Sequence, residues 1–402
     1  MEPKAVPEAT SVRNVPRAVW ILGFVSMLMD VSSEMIHALL PVYLVTVLGA
    51  SMSTVGIIEG MAEATASIVK IGSGALSDWF GKRKWLAAAG YGLAAFTKPV
   101  FPLATSVGLI VAARFVDRIG KGIRGAPRDA LITDVTPSHL RGTAFGLRQS
   151  LDTIGAFVGP LLAIALMWAS SDDFALVFWF AVVPGFLSFG LIAFVVREPD
   201  APPRAAPRWP LSVESAKLLG GAYWKLVLVA FVFTLARFSE AFLILRAQQA
   251  GLPIGWTPLV LVVMNIVYAL TAYPAGILAD RLDRRNILLF GLLLLVAADI
   301  VLAFSGTLAM IGLGVVLWGL HMAFTQGLLS AMVADAAPAH LRGTAFGAYH
   351  FVSGVAMLIA STAAGFLWDA GGPQMTFLAG AGCAVLSGGL LIALGGTPRR
   401  KA

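Results

Sequence analysis

The chain is poor in charge and almost without cysteine. Charged residues make up 13% of its 402 positions and hydrophobic ones 58%, whereas an ordinary soluble domain is about 25% charged. That leaves too little polar material to cover a water-soluble protein of this size. The lone cysteine, Cys383, excludes an intrachain disulfide and a cysteine-built metal site; its apolar setting reads as a small packed side chain. No Walker phosphate loop is present, so direct use of ATP is not expected. His-Glu-x-x-His, Gly-x-Ser-x-Gly and paired-Asp signatures are also missing, which argues against an intramembrane enzyme. The polar, proline-containing start (Met1 to Arg17) lacks a short apolar core before a cleavage site and reads as a retained cytoplasmic tail.

Long apolar runs take up most of the rest. Each approaches the roughly 20 residues that cross a bilayer as a helix, and twelve spans are predicted: 18–44, 54–76, 85–104, 108–132, 144–168, 174–196, 225–247, 257–279, 286–305, 308–333, 344–368 and 375–396. The segment "REPDAPPRAAPRWPLSVESAK" at 197–217 cannot span. The expected organisation is a tail (1–17), a six-helix bundle (18–196), a cytoplasmic linker (197–224), a second bundle (225–396) and a short tail (397–402).

The net charge of +7 is distributed by topology. Lys82, Arg83 and Lys84 follow span two, Arg141 follows span four, and Arg197, Arg204 and Arg208 lie in the linker. Arg281, Arg284 and Arg285 follow span eight, Arg342 follows span ten, and Arg399, Arg400 and Lys401 end the chain. The alternate loops "TVLGASMSTV", "PLATSVG", "ASSDDF" and "AFSGTL" carry no Lys or Arg. Positive-inside reasoning puts both termini in the cytoplasm, and this accounts for the basic excess without nucleic acid.

Two stretches recur. "DVTPSHLRGTAFG" (134–146) returns as "DAAPAHLRGTAFG" (335–347), and "GALSDWFGKRK" (74–84) is echoed by "GILADRLDRRN" (276–286). Two matches at nearly one spacing imply a duplicated six-helix unit, common in secondary transporters. Gly74-x-x-x-Asp78-x-x-Gly81-Lys82-Arg83-Lys84 resembles the loop signature between helices two and three of the major facilitator superfamily. The second copy keeps Gly276, Asp280, Arg281, Arg284 and Arg285 but has Asp283 where the second glycine would be. The resemblance implies an all-α polytopic membrane protein with two six-helix bundles related by pseudo-two-fold symmetry. It further implies a monomer in the bacterial inner membrane, without cofactor or resident metal, whose partners are a small-molecule substrate, protons and the bilayer.

Topology needs basic charge in any order, yet here Asp, Arg and Gly recur in register. Asp78, Arg83, Asp134 and Arg141, with Asp280, Arg284, Asp335 and Arg342, are therefore expected to gate, remaking charge pairs as two rigid halves rock.

Ionisable residues at membrane depth cost at least ~2.5–3.5 kcal/mol each and are functional candidates by default. Span one carries Asp30, Glu34 and His37 on one helix face; span two adds Glu59 and Glu63. Span four carries Arg114 beside a stripe of Asp117, Lys121, Arg124 and Arg128, and span five adds Arg148 and Asp152. Charge is expected in the N-terminal half alone, apart from Arg237 and Glu240 in span seven. Glu34, Asp30, Glu63, Glu59 and Arg114 are the candidates for proton coupling. Arg124, Arg128, His37, Arg148, Asp152, Glu240 and Trp318 are the candidates for substrate. Simpler readings remain open: an Arg114–Asp117 pair, a local Arg148–Asp152 pair, acids satisfied by Ser32 and Ser33, a packed His37. "GAFVGPLLAI" (155–164) resembles the Gly-x-x-x-Gly-Pro element of family antiporters through Gly155, Gly159 and Pro160, but Ala163 and Ile164 stand where it continues with glycines. Proton-coupled efflux of an amphipathic or cationic compound is the leading expectation. Proton-coupled uptake of an organic anion or siderophore-like solute, and efflux of a divalent metal, are the alternatives.

Overall fold

Side-chain shape and helix ends determine how the predicted spans fold. The computed structural model describes residues 14–80, 82–197, 217–338 and 341–394, less the side chains of residues 75, 78–80 and 280. Most of the expected tails and linker lie outside the described residues. So do Gly81, His340, Arg204, Arg208 and the side chains of Asp78 and Asp280.

Among the described residues there is no strand. The first half comprises α1 (Arg17–His37) with α2 (Leu40–Thr46), α3 (Met52–Phe80), α4 (Arg83–Thr97) with α5 (Val100–Leu103), α6 (Val107–Val135), α7 (Arg141–Ser170) and α8 (Phe174–Gly190). The second comprises α9 (Gly220–Ala236) with α10 (Ala241–Gln249), α11 (Leu259–Arg281), α12 (Arg284–Phe304), α13 (Leu308–Ala336) and α14 (Arg342–Ala393). The last is two traverses joined at Gly371 and Gly372, where the backbone leaves helical angles and Gly372 takes φ 74°. A left-handed angle of that kind costs glycine least. Twelve traverses result. Among the described residues eight stretches are apolar and long enough to cross a membrane unaided; of the others, α4 is short at 15 residues, and α3 and α6 carry acids and bases.

Helix ends follow the repeat. Ser106 accepts a hydrogen bond from the Leu109 amide (3.5 Å) to start α6, and Thr307 does the same for Met310 (3.4 Å) at α13. Asp283, in place of the second glycine of the loop signature, caps α12 by accepting from the Arg285 amide at 2.9 Å. That departure is a helix start, satisfying one of the amides a helix leaves unpaired.

Glycine allows close crossing within the first half. A Cβ on Gly90 would sit 2.7 Å from the Gly120 carbonyl oxygen, and one on Gly120 2.6 Å from that of Gly90. The tightest approaches between halves lie on the face away from the basic loops. There α3 packs along the first part of α14, and a Cβ on Gly60 would meet the Leu358 carbonyl oxygen at 3.0 Å. On the same face Gly255 lies against Asp172 at the end of α7.

Candidate functional site

The acid-bearing face of α1 is seated by α7. A Cβ on Gly155 would meet the Met27 carbonyl oxygen at 2.6 Å and the Asp30 Cβ at 3.0 Å, and one on Gly159 would meet the Glu34 Cβ at 2.8 Å. Small residues at such crossings let helices approach closely. The Gly155–Gly159 element therefore fixes where Asp30 and Glu34 stand.

From Glu34 a line of ionisable groups runs into the protein. Glu34 Oε2 lies 3.4 Å from His37 Nδ1, and His37 Nε2 lies 3.4 Å from Glu59 Oε2. Arg114 donates to both Glu59 oxygens, at 3.2 and 3.0 Å. Glu59 and Arg114 are buried, whereas Glu34 keeps partial exposure. An imidazole with a carboxylate at each nitrogen donates to both only when it carries two protons. Arg114 pairs with Glu59 and not with Asp117. Asp117 is held by Lys98 (2.9 Å) and Arg118 (3.7 Å), and Lys98 also donates to Ser33 (3.0 Å). Ser32 donates to the Ala181 carbonyl at 2.6 Å, so neither hydroxyl serves the α1 acids.

Three further pairs share one orientation. Glu63 faces Arg118 (3.4 Å), Asp30 faces Arg124 (3.7 Å) and Asp129 faces Arg128 (3.0 Å). The carboxylate side chains are 38%, 28% and 39% exposed, and the guanidinium side chains 3%, 7% and 11%. In each pair the guanidinium is withdrawn and the carboxylate is the more exposed partner. Arg124 is held by cation–π contact, 5.0 Å from the Tyr91 ring centre, and Arg128 bonds Ser26. Arg148 and Asp152 form the local pair at 2.9 Å, with Asp129 3.8 Å from the same guanidinium. Lys121 is exposed.

A cavity of about 340 Å³ joins the halves here, lined by Asp30, Gln149, Asp152 and Phe157 from the first and by Asn265 and Tyr268 from the second. A second, of about 450 Å³, runs along α11 and α13 past Tyr268, Tyr273 and Phe324 to Arg284. Glu240 stands half-buried where α9 gives way to α10. Trp318 does not line either cavity. It is fully buried, its ring 5.6 Å from Phe238 and 5.9 Å from His321, because α13 turns that face into its own bundle.

The loop charges pair within each half. Arg83 binds Asp134 and also donates to the Ala130 carbonyl (3.3 Å). Arg284 binds Asp335 at the same place in the repeat. Arg141 and Arg342 begin α7 and α14 and are exposed.

Sequence reasoning missed several groups. Lys98 is the buried partner of Asp117, and Arg246 of α10 donates to the Leu302 carbonyl (2.9 Å) and the Ser305 carbonyl at the end of α12. Ionisable groups also occur at depth in the second half, contrary to expectation: Asp299 and His321 are fully buried, and none of their polar side-chain atoms has a hydrogen-bond partner. The repeat held the signal, since Lys98 and Asp299 stand 201 residues apart.

Two bundles of six traverses, with an ionisable site at their junction, define a secondary transporter. The profile of the Major Facilitator Superfamily matches residues 22–264 and 247–402. An MFS-type transporter of Methanocaldococcus jannaschii is 33% identical over 387 residues, 94% of this chain and 95% of the relative. The inner membrane transport protein YajR of Escherichia coli K12 is 26% identical, over 91% of this chain and 80% of its own. The fold is similar to that of the nucleoside transporter NupG (TM-score 0.77, 13% identity, 94% and 99% of the two chains). It is also similar to that of a POT family transporter solved with 5-aminolevulinic acid (TM-score 0.81, 13% identity, 96% and 97%). The chain belongs to the Major Facilitator Superfamily and is a transporter, not an enzyme.

Proposed function

We propose that the protein exports small cationic or amphipathic solutes in exchange for protons. The observation that carries this reading is the orientation of the ion pairs, with Glu63, Asp30 and Asp129 exposed and their arginines withdrawn. Carboxylate oxygens accept from an ammonium or take up a proton. One site that binds either, but not both at once, exchanges one for the other. Tyr268 and Phe157 offer apolar and aromatic surface beside Asp30. Glu34, His37 and Glu59 provide the proton's way inward, from a partly exposed acid to a buried one.

The basic face is cytoplasmic by the positive-inside rule. With the opposite face closed by α3 against α14, the site is reached from the cytoplasm, as an exporter awaiting cargo requires. The protein works as a monomer in the bacterial inner membrane, and the repeated loop pairs are remade as the halves rock. Uptake of an organic anion is the second reading, favoured by exposed Lys121; the withdrawal of Arg124 and Arg128 counts against it. Metal efflux has less support, because among the described residues no group of three His, Cys, Asp or Glu side chains is arranged to hold a metal ion.

The test is gradient-driven transport in proteoliposomes beside solute counterflow without a gradient. Glu34→Gln should abolish accumulation driven by a pH jump and leave counterflow near the parental rate. Undiminished accumulation by this variant would overturn the assignment of Glu34 and move the coupling role to Glu63 and Asp30.

A further inference from the structure

The first amides of a helix have no partner inside it. At α3 the deficit is met from two directions. Ser51 Oγ accepts from the Thr54 amide at 3.2 Å, as an ordinary cap. Asp369, which comes from the other half of the molecule, accepts from the Met52 amide at 3.1 Å and the Ser53 amide at 2.8 Å, one carboxylate oxygen to each. A full negative charge thus stands at the positive end of a helix of 29 residues.

The contact is held in place by the helices below it. A Cβ on Gly365 would overlap the Met52 carbonyl oxygen, and one on Gly56 the Ser361 carbonyl oxygen. Backbone therefore meets backbone for more than a turn beneath the carboxylate. Asp369 itself is exposed, so little desolvation offsets what it gains from two charge-assisted hydrogen bonds.

We infer that Asp369 latches the non-cytoplasmic face shut by capping α3 across the junction of the halves, and that opening to that face requires the cap to be released. In the open state the Met52 and Ser53 amides turn to water and Asp369 loses both partners. The latch biases the equilibrium between the two facing states without touching solute, so it is a positioning element of the transport cycle. It goes beyond the proposed proton and solute chemistry and does not depend on it, since the contact involves neither.

The test reads distance and needs no substrate. In a full-length Cys383→Ser background, spin labels on Thr105→Cys and Gly306→Cys report separation across this face; both positions lie in exposed loops, one in each half. Asp369→Ala should raise the ratio of long to short distances by about fivefold, the effect expected for loss of one helix cap. Asp369→Asn keeps an acceptor but loses the charge and should fall between, which leaves the question decidable if the alanine variant folds poorly. Gly365→Ala, which wedges the same contact, should shift the ratio the same way and serves as the positive control. A parental distribution in both Asp369 variants, with a shifted one in Gly365→Ala, would overturn the inference. Failure of the solute or proton assignment would leave these distances unchanged.

Discussion

Lys98 and Asp117 in the first half stand where Asp299 and Trp318 stand in the second, each pair of positions 201 residues apart. The first half fills the place with a buried ion pair at 2.9 Å. The second fills it with an acid whose two oxygens, like the neighbouring indole nitrogen of Trp318, have no hydrogen-bond partner. Gly185 opens space against the Lys98 stem, and Gly380 does so against Asp299. One scaffold position can thus support a fixed charge pair or a lone acid, which burial without a partner disfavours in its charged form. The pair adjoins Arg118, which reaches the partly exposed Glu63. In the second half Phe238, itself packed against Trp318 and Phe377, lies beside Asp299. The first half matches its buried charges here; the second has packed rings in their place.

The largest effect should come from breaking this contrast. Lys98→Met leaves Asp117 with only its longer contact to Arg118, and removing one partner of a buried pair costs about 3–5 kcal/mol. Asp299→Leu removes two unsatisfied oxygens and is expected to be neutral or to stabilise by about 1–3 kcal/mol. Thermal unfolding in detergent measures both. A loss in the Asp299 variant as large as that in Lys98→Met would mean that Asp299 has a partner in the folded protein.

A middle-sized effect sharpens the division of labour between the halves. Trp318→Phe keeps a ring against Phe238 and should cost about 1–2 kcal/mol through lost volume, with solute affinity unchanged. Glu63→Gln, at a carboxylate that is 38% exposed, should weaken binding of an organic cation about tenfold while changing stability little. Binding by isothermal titration separates them, and a tenfold loss of affinity in the Trp318 variant would bring that ring back to the site.

The spans, the two-fold repeat and the family were legible in the sequence because hydropathy, basic loops and recurring motifs are local patterns. The α1 acids and their α3 and α6 neighbours were legible for a related reason: charge at membrane depth is conspicuous on its own. Partner choice was not. Arg114 reaches Glu59 across a helix crossing and leaves Asp117 to Lys98, and nothing in residue spacing announces which of two nearby acids a guanidinium will meet. Trp318 was misplaced because one helix face cannot be assigned to cavity or core without the rotation of α13. Asp369 escaped notice because an acid just past the end of a predicted span (344–368) reads as solvated surface until the helix it caps is seen.

The smallest difference between the halves is expected at the loop pairs, where they look most alike. Arg83 and Asp134 are 9% and 12% exposed, and Arg284 and Asp335 are 26% and 56%. Arg83 also serves the Ala130 carbonyl. A partly buried charged hydrogen bond contributes roughly 1.5–3 kcal/mol, whereas an exposed ion pair contributes about 0–1 kcal/mol and weakens with salt. Arg83→Ala should therefore lower stability by about 2 kcal/mol at any ionic strength. Arg284→Ala should lower it by less than about 1 kcal/mol, and less again in about 0.5 M salt, where the screening length is shorter. Unfolding midpoints for both variants at two salt concentrations give the comparison. Equal, salt-insensitive losses would mean that the second pair is as sheltered as the first. In that case the halves would be equivalent at their loops and would differ only at membrane depth.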